Sequence, residues 1–188
     1  MLAGGESRRF GSDKTSALLD GETLLGRAAG TLARVFADVV VVSSAGARST
    51  DRWPRVPDLH PGLGPLAGIE AALVHARDSG RIGAFVLACD MPMVDEATVR
   101  AVLGALDSRR AAAAGPAGTG RVEPLCAAYR LECLPEVSRA LEERRLAAHE
   151  LFASVGGVVV ELPAARFLNV NTPEDHARAL AVLPKKPA

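Results

Sequence analysis

Apolar residues along this chain alternate between two rhythms. Leu24, Leu25, Ala28, Ala29, Leu32, Val35 and Phe36 recur at three-to-four spacing, which predicts one apolar face of a helix. Residues 38–44 then carry the unbroken run Val39-Val40-Val41-Val42. A continuous β-branched run predicts a strand covered on both faces. Residues 51–64 form a polar, proline-rich connection. Pro65 opens a helix carrying Leu66, Ile69, Leu73 and Ala76; proline fits the first helical position because its missing N–H would have no partner there. Residues 83–89 predict a second buried strand, ended by Asp90-Met91-Pro92.

The alternation continues. A helix is expected over about 95–106, a short strand over 111–114, a flexible loop over 115–120 and a strand over 125–130. Two helical segments, 135–141 and 146–154, precede a strand over 158–162. The last helix has the clearest start: Thr172-Pro173-Glu174-Asp175 combines a cap residue, proline at the first position and acids in the first turn. It is expected to run to Val182. Strands alternating with helices predict an α/β fold, Rossmann-like, with a mainly parallel sheet and helices on both faces. Residues 1–183 are expected to form one domain and 184–188 a frayed tail. In such sheets ligands collect at the carboxyl ends of strands.

Composition narrows the function classes. The 188 residues suit one domain with a real core, and 48% hydrophobic content fits a folded chain. Zero formal net charge argues against nucleic acid as a partner, and 4% aromatics argues against a base-stacking platform. No apolar run approaches the length that spans a membrane. The start is glycine-rich and charged, so no secretory signal is expected. Cys89, Cys126 and Cys133 are odd in number and lack a CxxC pair, which points to a reducing, cytoplasmic setting.

Four clusters can carry chemistry. The first runs from Leu2 to Lys14, with Gly4, Gly5, Gly11, Arg8, Arg9 and Lys14. Glycine backbone can approach an anion closely, and the cations can neutralise phosphates. Its spacing fits neither a Walker A loop nor GxGxxG, and a Gly/Arg-rich surface turn is the alternative. The second is Asp90, which closes a strand and can hold Mg²⁺ against phosphate oxygens, or cap the following helix. The third is Asp58 through Gly68, where Gly64-Pro65 leads into a helix N-terminus that suits an anion; the alternative is a structural loop. The fourth is Asn169-Val170-Asn171, two amides on one side of an extended segment; the alternative is helix capping. The four histidines, His60, His75, His149 and His176, show no metal-ligand spacing, and Cys89 reads as core.

In order, these residues resemble the molybdenum cofactor guanylyltransferase family, within the wider nucleotidyltransferase superfamily. The carriers are Leu2-Ala3-Gly4-Gly5 through Lys14, Gly64-Pro65-Leu66-Ala67-Gly68, Cys89-Asp90-Met91-Pro92, Glu123-Pro124-Leu125 and Asn169-Val170-Asn171-Thr172-Pro173. They span residues 2 to about 175. The resemblance implies a nucleotide-diphospho-sugar transferase-like fold and transfer of GMP from GTP to the terminal phosphate of molybdopterin, with release of pyrophosphate. It implies that the backbone of Leu2, Ala3, Gly4 and Gly5 meets the nucleotide. Arg9 and Lys14 would neutralise phosphates, Asp58 would contact guanosine, and Asp90 would hold Mg²⁺. Gly64, Asn169 and Asn171 would line the pterin side; Arg144-Arg145 occupy a family position that would reach the pterin phosphate, with a solvated helix end as the favoured alternative. Gly4, where sibling cytidylyltransferases carry alanine, favours GTP over CTP. Molybdoenzymes and other cofactor-biosynthesis proteins are the implied partners.

Two departures accompany the resemblance. The family carries several apolar residues before its signature loop, forming a central first strand; here only Met1 precedes the motif, so that strand is expected to be truncated. Ser43 stands near where the family often has Asn.

Overall fold

The computed structural model describes residues 1–2, 17–43 and 52–183. A tight hairpin pairs β1 (Leu18–Leu19) with β2 (Glu22–Thr23) across Asp20 and Gly21, both at positive φ. Thr23 caps α1 (Leu24–Ala33), its hydroxyl accepting the Gly26 N–H at 2.9 Å. Strand β3 (Val41–Ser43) pairs in parallel with β4 (Arg55–Pro57). Helix α2 (Pro65–Asp78), β5 (Gly83–Leu87) and α3 (Glu96–Leu106) follow, then β6 (Ala111–Pro116) and β7 (Glu123–Arg130). Helices α4 (Leu134–Glu142) and α5 (Ala148–Ser154), strand β8 (Val158–Leu162) and α6 (Pro173–Val182) complete the order.

The strands form sets β3-β4 and β5-β7-β6-β8, and Met1 and Leu2 join them. Leu2 bridges Val42 and Ala88, parallel to both. Its N–H donates to Leu87 O at 2.9 Å, Val42 N–H donates to Met1 O at 2.9 Å, and Cys89 N–H donates to Leu2 O at 3.3 Å. The Met1 ammonium donates to Val40 O at 2.9 Å, and burial lowers its pKa to about 5 against the opposing Cys89 charge. Among the described residues, Met1 and Leu2 thus stand between β3 and β5 where the first strand was expected, and they bond to backbone groups of both neighbours. Only β7 runs against the rest, so the sheet is mainly parallel.

Alternation along each strand sends side chains to two cores. Leu2, Val42, Val86, Ala127 and Tyr129 pack with α2, α4 and α5. Met1, Val41, Leu87, Cys126 and Ala128 pack with α1 and α3 on the other face. A third, smaller cluster joins Leu19 and Leu24 to Val170 and Ala179 of α6.

Some elements differ from the sequence reading. Strand β4 lies inside the segment expected to be a plain connection; it is short, at an edge, and only partly buried. The β1–β2 hairpin was signalled by the turn pair Asp20-Gly21 after Leu18-Leu19, a signal the helical rhythm downstream obscured. Strand β6 runs on to Pro116, and β7 begins at Glu123 rather than Leu125.

That early start of β7 matters. Ala113 pairs with Ala127, but Ala114 pairs with Glu123, so three residues of β7 bulge away from β6. Cys126 pairs with Leu87 on the other side, and Ala88 N–H donates to Leu125 O at 2.9 Å. The Tyr129 hydroxyl reaches back to Pro124 O at 2.8 Å and fastens the bend. Gly115 lets the chain fold over β6: a Cβ there would lie 2.2 Å from Arg121 O.

Gly68 of α2 lies against Leu2, where an added Cβ would fall 2.8 and 3.0 Å from the two terminal methyls. Gly68→Ala is expected to cost about 1–3 kcal/mol in denaturant unfolding through overpacking. In a double-mutant cycle with Leu2→Ala, removal of the methyls should relieve the clash and give a coupling of at least about 0.5 kcal/mol; additive effects would contradict this contact.

Candidate active site

The parallel strands and the Met1–Leu2 bridge end at one edge, and the polar clusters gather there. Ser43 closes β3. Its Oγ accepts from Arg55 Nη1 at 3.0 Å and its carbonyl accepts the Asp58 N–H at 3.1 Å. Asp58 follows β4 directly and uses Oδ1 to accept the His60 N–H at 2.9 Å, a local Asx turn. His60 Nε2 lies 3.1 Å from Oε2 of the buried Glu70 on α2. Ser138 of α4 donates to Glu70 Oε1 at 2.6 Å. The loop between Asp58 and Gly64 is therefore tied to the body of the protein through Glu70. Gly64 is the N-cap of α2, exposed, at φ 73°.

Asp90 stands past the end of β5, partly buried, in the turn that its following Met91-Pro92 directs toward α3. Glu123 reaches the same edge because of the β7 bulge. Its carboxyl pKa is raised, first by burial and then, against the pull of Arg121 at 3.7 Å, by the negative charge of Asp90. Two carboxylates in one partly desolvated place form a hard-oxygen donor set suited to Mg²⁺, which binds through one or two carboxylates plus phosphates. Among the described residues there is no group of three or more potential metal-ligating side chains. Glu123 has no role in the sequence reading beyond its motif; the signal was the Glu-Pro pair opening a strand, and the bulge that aims it was not legible.

The Asn169–Asn171 segment is fixed beside Asp90, since Val170 N–H donates to Asp90 O at 2.8 Å. Asn169 has a buried Oδ1 with no hydrogen-bond partner among the described residues. Asn171 is exposed, and its N–H donates to Asp175 Oδ2 at 3.0 Å. Thr172 is the N-cap of α6, in a reciprocal capping box with Asp175. The two asparagines therefore differ: Asn169 presents an unsatisfied amide oxygen, whereas the Asn171 backbone serves the helix start.

Asp90, Glu123, Asn169, Asn171, Asp58, Gly64 and Leu2 are thus placed, whereas Ala3, Gly4, Gly5, Arg9 and Lys14 lie outside the described residues. Arg145 pairs with Glu143 at 2.7 Å and with Glu136 at 3.4 Å in the loop after α4, and Arg144 beside it has φ 57°. All three cysteines are buried, and burial followed by the Glu123 charge pushes Cys126 up to about 12, so it is no nucleophile. No helix among the described residues is long and apolar enough to cross a membrane.

Residues 1–157 match the MobA-like NTP transferase domain model. The chain belongs to that family. A molybdenum cofactor guanylyltransferase of Desulfosudis oleivorans is 31% identical over 97% of this chain and 94% of its own. A probable molybdenum cofactor guanylyltransferase of Opitutus terrae is 37% identical over 95% and 92%. Among solved structures, the molybdopterin-guanine dinucleotide biosynthesis protein A of Archaeoglobus fulgidus superposes with a TM-score of 0.71 at 26% identity, covering 96% and 95%. A Thermus thermophilus cytidylyltransferase at 21% identity and TM-score 0.74 shares the fold, over 96% of each chain. The mainly parallel sheet with one antiparallel strand is thus the fold of nucleotidyltransferases.

One ion pair at this edge was not signalled by any motif. Asp95, the N-cap of α3, accepts from the Thr98 N–H at 2.9 Å and the Thr98 hydroxyl at 2.8 Å, and pairs with Arg166. Burial alone would raise its pKa; the bonds from Arg166 and Thr98 outweigh that and lower it to about 2. A depressed carboxyl stabilises the fold above its ordinary pKa and loses that contribution as pH falls through the folded value. The stability difference between wild type and Asp95→Asn should therefore hold above about pH 4 and shrink toward about pH 2. A difference independent of pH in thermal melts would contradict the assignment.

Proposed function

We propose that this protein transfers GMP from GTP to the terminal phosphate of molybdopterin, giving molybdopterin guanine dinucleotide and pyrophosphate. The observation that carries the reading is the meeting of Asp90, Glu123 and the unsatisfied Asn169 amide at the edge where Leu2 leads into the glycine- and arginine-rich loop. The guanylyltransferase names of relatives covering nearly the whole chain support it.

In this reading an acceptor phosphate oxygen attacks the α-phosphorus of GTP, a new O–P bond forms, and the bond to the β-phosphate oxygen breaks as pyrophosphate leaves. The nucleophile is already anionic at neutral pH, so the protein need not remove a proton. Its work is positioning and charge neutralisation. The backbone of Leu2, Ala3, Gly4 and Gly5 lies along the nucleotide, Arg9 and Lys14 neutralise its phosphates, and Asp58 meets the guanosine with the oxygen its own turn leaves over. Asp90, with Glu123 beside it, would hold Mg²⁺. Bound there, the ion would supply positive charge to the phosphate oxygens. Gly64, Asn169 and Asn171 line the acceptor side. Gly4 favours GTP over CTP, the product is destined for molybdoenzymes, and the reaction belongs in the cytoplasm.

Incubation with GTP, molybdopterin and Mg²⁺ should release pyrophosphate and yield the guanine dinucleotide by mass spectrometry, with CTP a poor substitute. Asp90→Ala should lower kcat by roughly a hundredfold to a thousandfold while leaving the melting temperature close to wild type. Turnover with CTP alone, or full activity in Asp90→Ala, would overturn the assignment.

A further inference from the structure

We propose that the Asp95–Arg166 ion pair is a positioning latch that sets where the acceptor-side asparagines stand relative to Asp90. The proposal rests on the transferase reading above for its effect on turnover, but its structural basis is independent of that reading.

Two segments of the site carry no strand or α-helix of their own. One is residues 90–95, between β5 and α3; the other is 163–171, between β8 and α6. They run past each other in opposite directions and are joined by two rungs. Val170 N–H donates to Asp90 O at 2.8 Å, and Arg166 pairs with Asp95 five residues beyond Asp90. Between the rungs the segments share apolar neighbours: Phe167 packs in the core that holds Met91 and Val94, and Leu168 and Met93 both pack against the cluster of Leu19, Leu24, Val170 and Ala179.

The latch has a fixed anchor and a short arm. Asp95 Oδ1 is occupied by both Thr98 donors, which pins the carboxylate on the first turn of α3 and leaves Oδ2 for Arg166. Arg166 lies in a single 3₁₀ turn, Ala164–Phe167, that ends two residues before Asn169. A shift of this turn is transmitted directly to Asn169, whose amide oxygen has no other hydrogen-bond partner among the described residues to hold it. Both members of the pair are partly solvated, with side chains 44% and 35% exposed for Asp95 and Arg166. Loss of Arg166 alone costs little global stability, because a pair this open is screened and the Thr98 bonds to Asp95 remain. The pair's consequence is local: it fixes the gap between the residue that serves the nucleotide and those that face the acceptor.

The test compares Arg166→Ala, Arg166→Gln and Arg166→Lys with Arg100→Ala, which breaks an exposed pair with Glu96 within α3 and leaves the Asp95–Arg166 pair intact. Arg166→Ala and Arg166→Gln should lower kcat/KM for molybdopterin by roughly tenfold to a hundredfold, with the GTP Kd unchanged, and Arg166→Lys should recover part of the loss. Hydrogen exchange at the Val170 amide should speed up in Arg166→Ala and Arg166→Gln and remain at the wild-type rate in Arg100→Ala. Unchanged acceptor kinetics in a turning-over enzyme, or an equal loss of GTP affinity, would overturn the latch. If the wild type makes no dinucleotide, the transferase reading fails. Val170 exchange then decides the latch alone: faster exchange in both variants upholds it, and unchanged exchange overturns it.

Discussion

The backbone ladder closed by Met1 and Leu2 makes one sheet out of two. Without it β3–β4 would be a two-stranded ribbon and β5-β7-β6-β8 would present an open edge of unpaired N–H and C=O groups at the centre of the molecule. Four backbone bonds, from Met1, Leu2, Val42 and Cys89, stitch the halves together. The side chains extend the same join to both faces, Met1 into the core beneath α1 and α3 and Leu2 into the core beneath α2. Gly68 allows α2 to come down onto Leu2. The bridge therefore also fixes where the segment that carries Gly4, Gly5, Arg9 and Lys14 begins.

The site then divides into two kinds of support. The proposed nucleotide side stands on strand ends, with Asp58 directly after β4, its N–H bonded to Ser43 O, and Asp90 three residues after β5. The proposed acceptor side stands on an irregular segment that borrows its order from neighbours: a backbone bond to Asp90, an ion pair to Asp95 and, through Phe167, the core that holds Met91 and Val94. Glu123 comes within electrostatic reach of Asp90 through the β7 bulge, which is secured by Tyr129 and made possible by Gly115. Asp90 and Glu123 raise the cost of leaving their charges uncompensated, as the upward shift of the Glu123 pKa records. A bound cation would relieve it.

Much of this was legible from residue order. Residues 158–162 and the Thr172-capped last helix fall where periodicity and capping placed them, because a β-branched run and a proline after a cap leave the backbone few alternatives. Asp90 at a strand end could be read from the abrupt stop at Pro92. What was not legible depends on tertiary pairing. Strand β4 has three residues and an exposed edge, too little for alternation to register. The bulge that turns Glu123 toward Asp90 depends on how β7 is shared between β5 and β6, which no local pattern encodes. Asp95 and Arg166 are 71 positions apart in the numbering and meet only because β8 and α3 bring their ends together.

The most direct test of the account is a crystal structure with GTP and Mn²⁺ in place of Mg²⁺, read by anomalous scattering. The account predicts a manganese peak at Asp90 beside Glu123, with the α-phosphate on the same ion and the guanine toward Asp58. Manganese and nucleotide bound together away from Asp90, with its carboxylate making no contact to either, would contradict it.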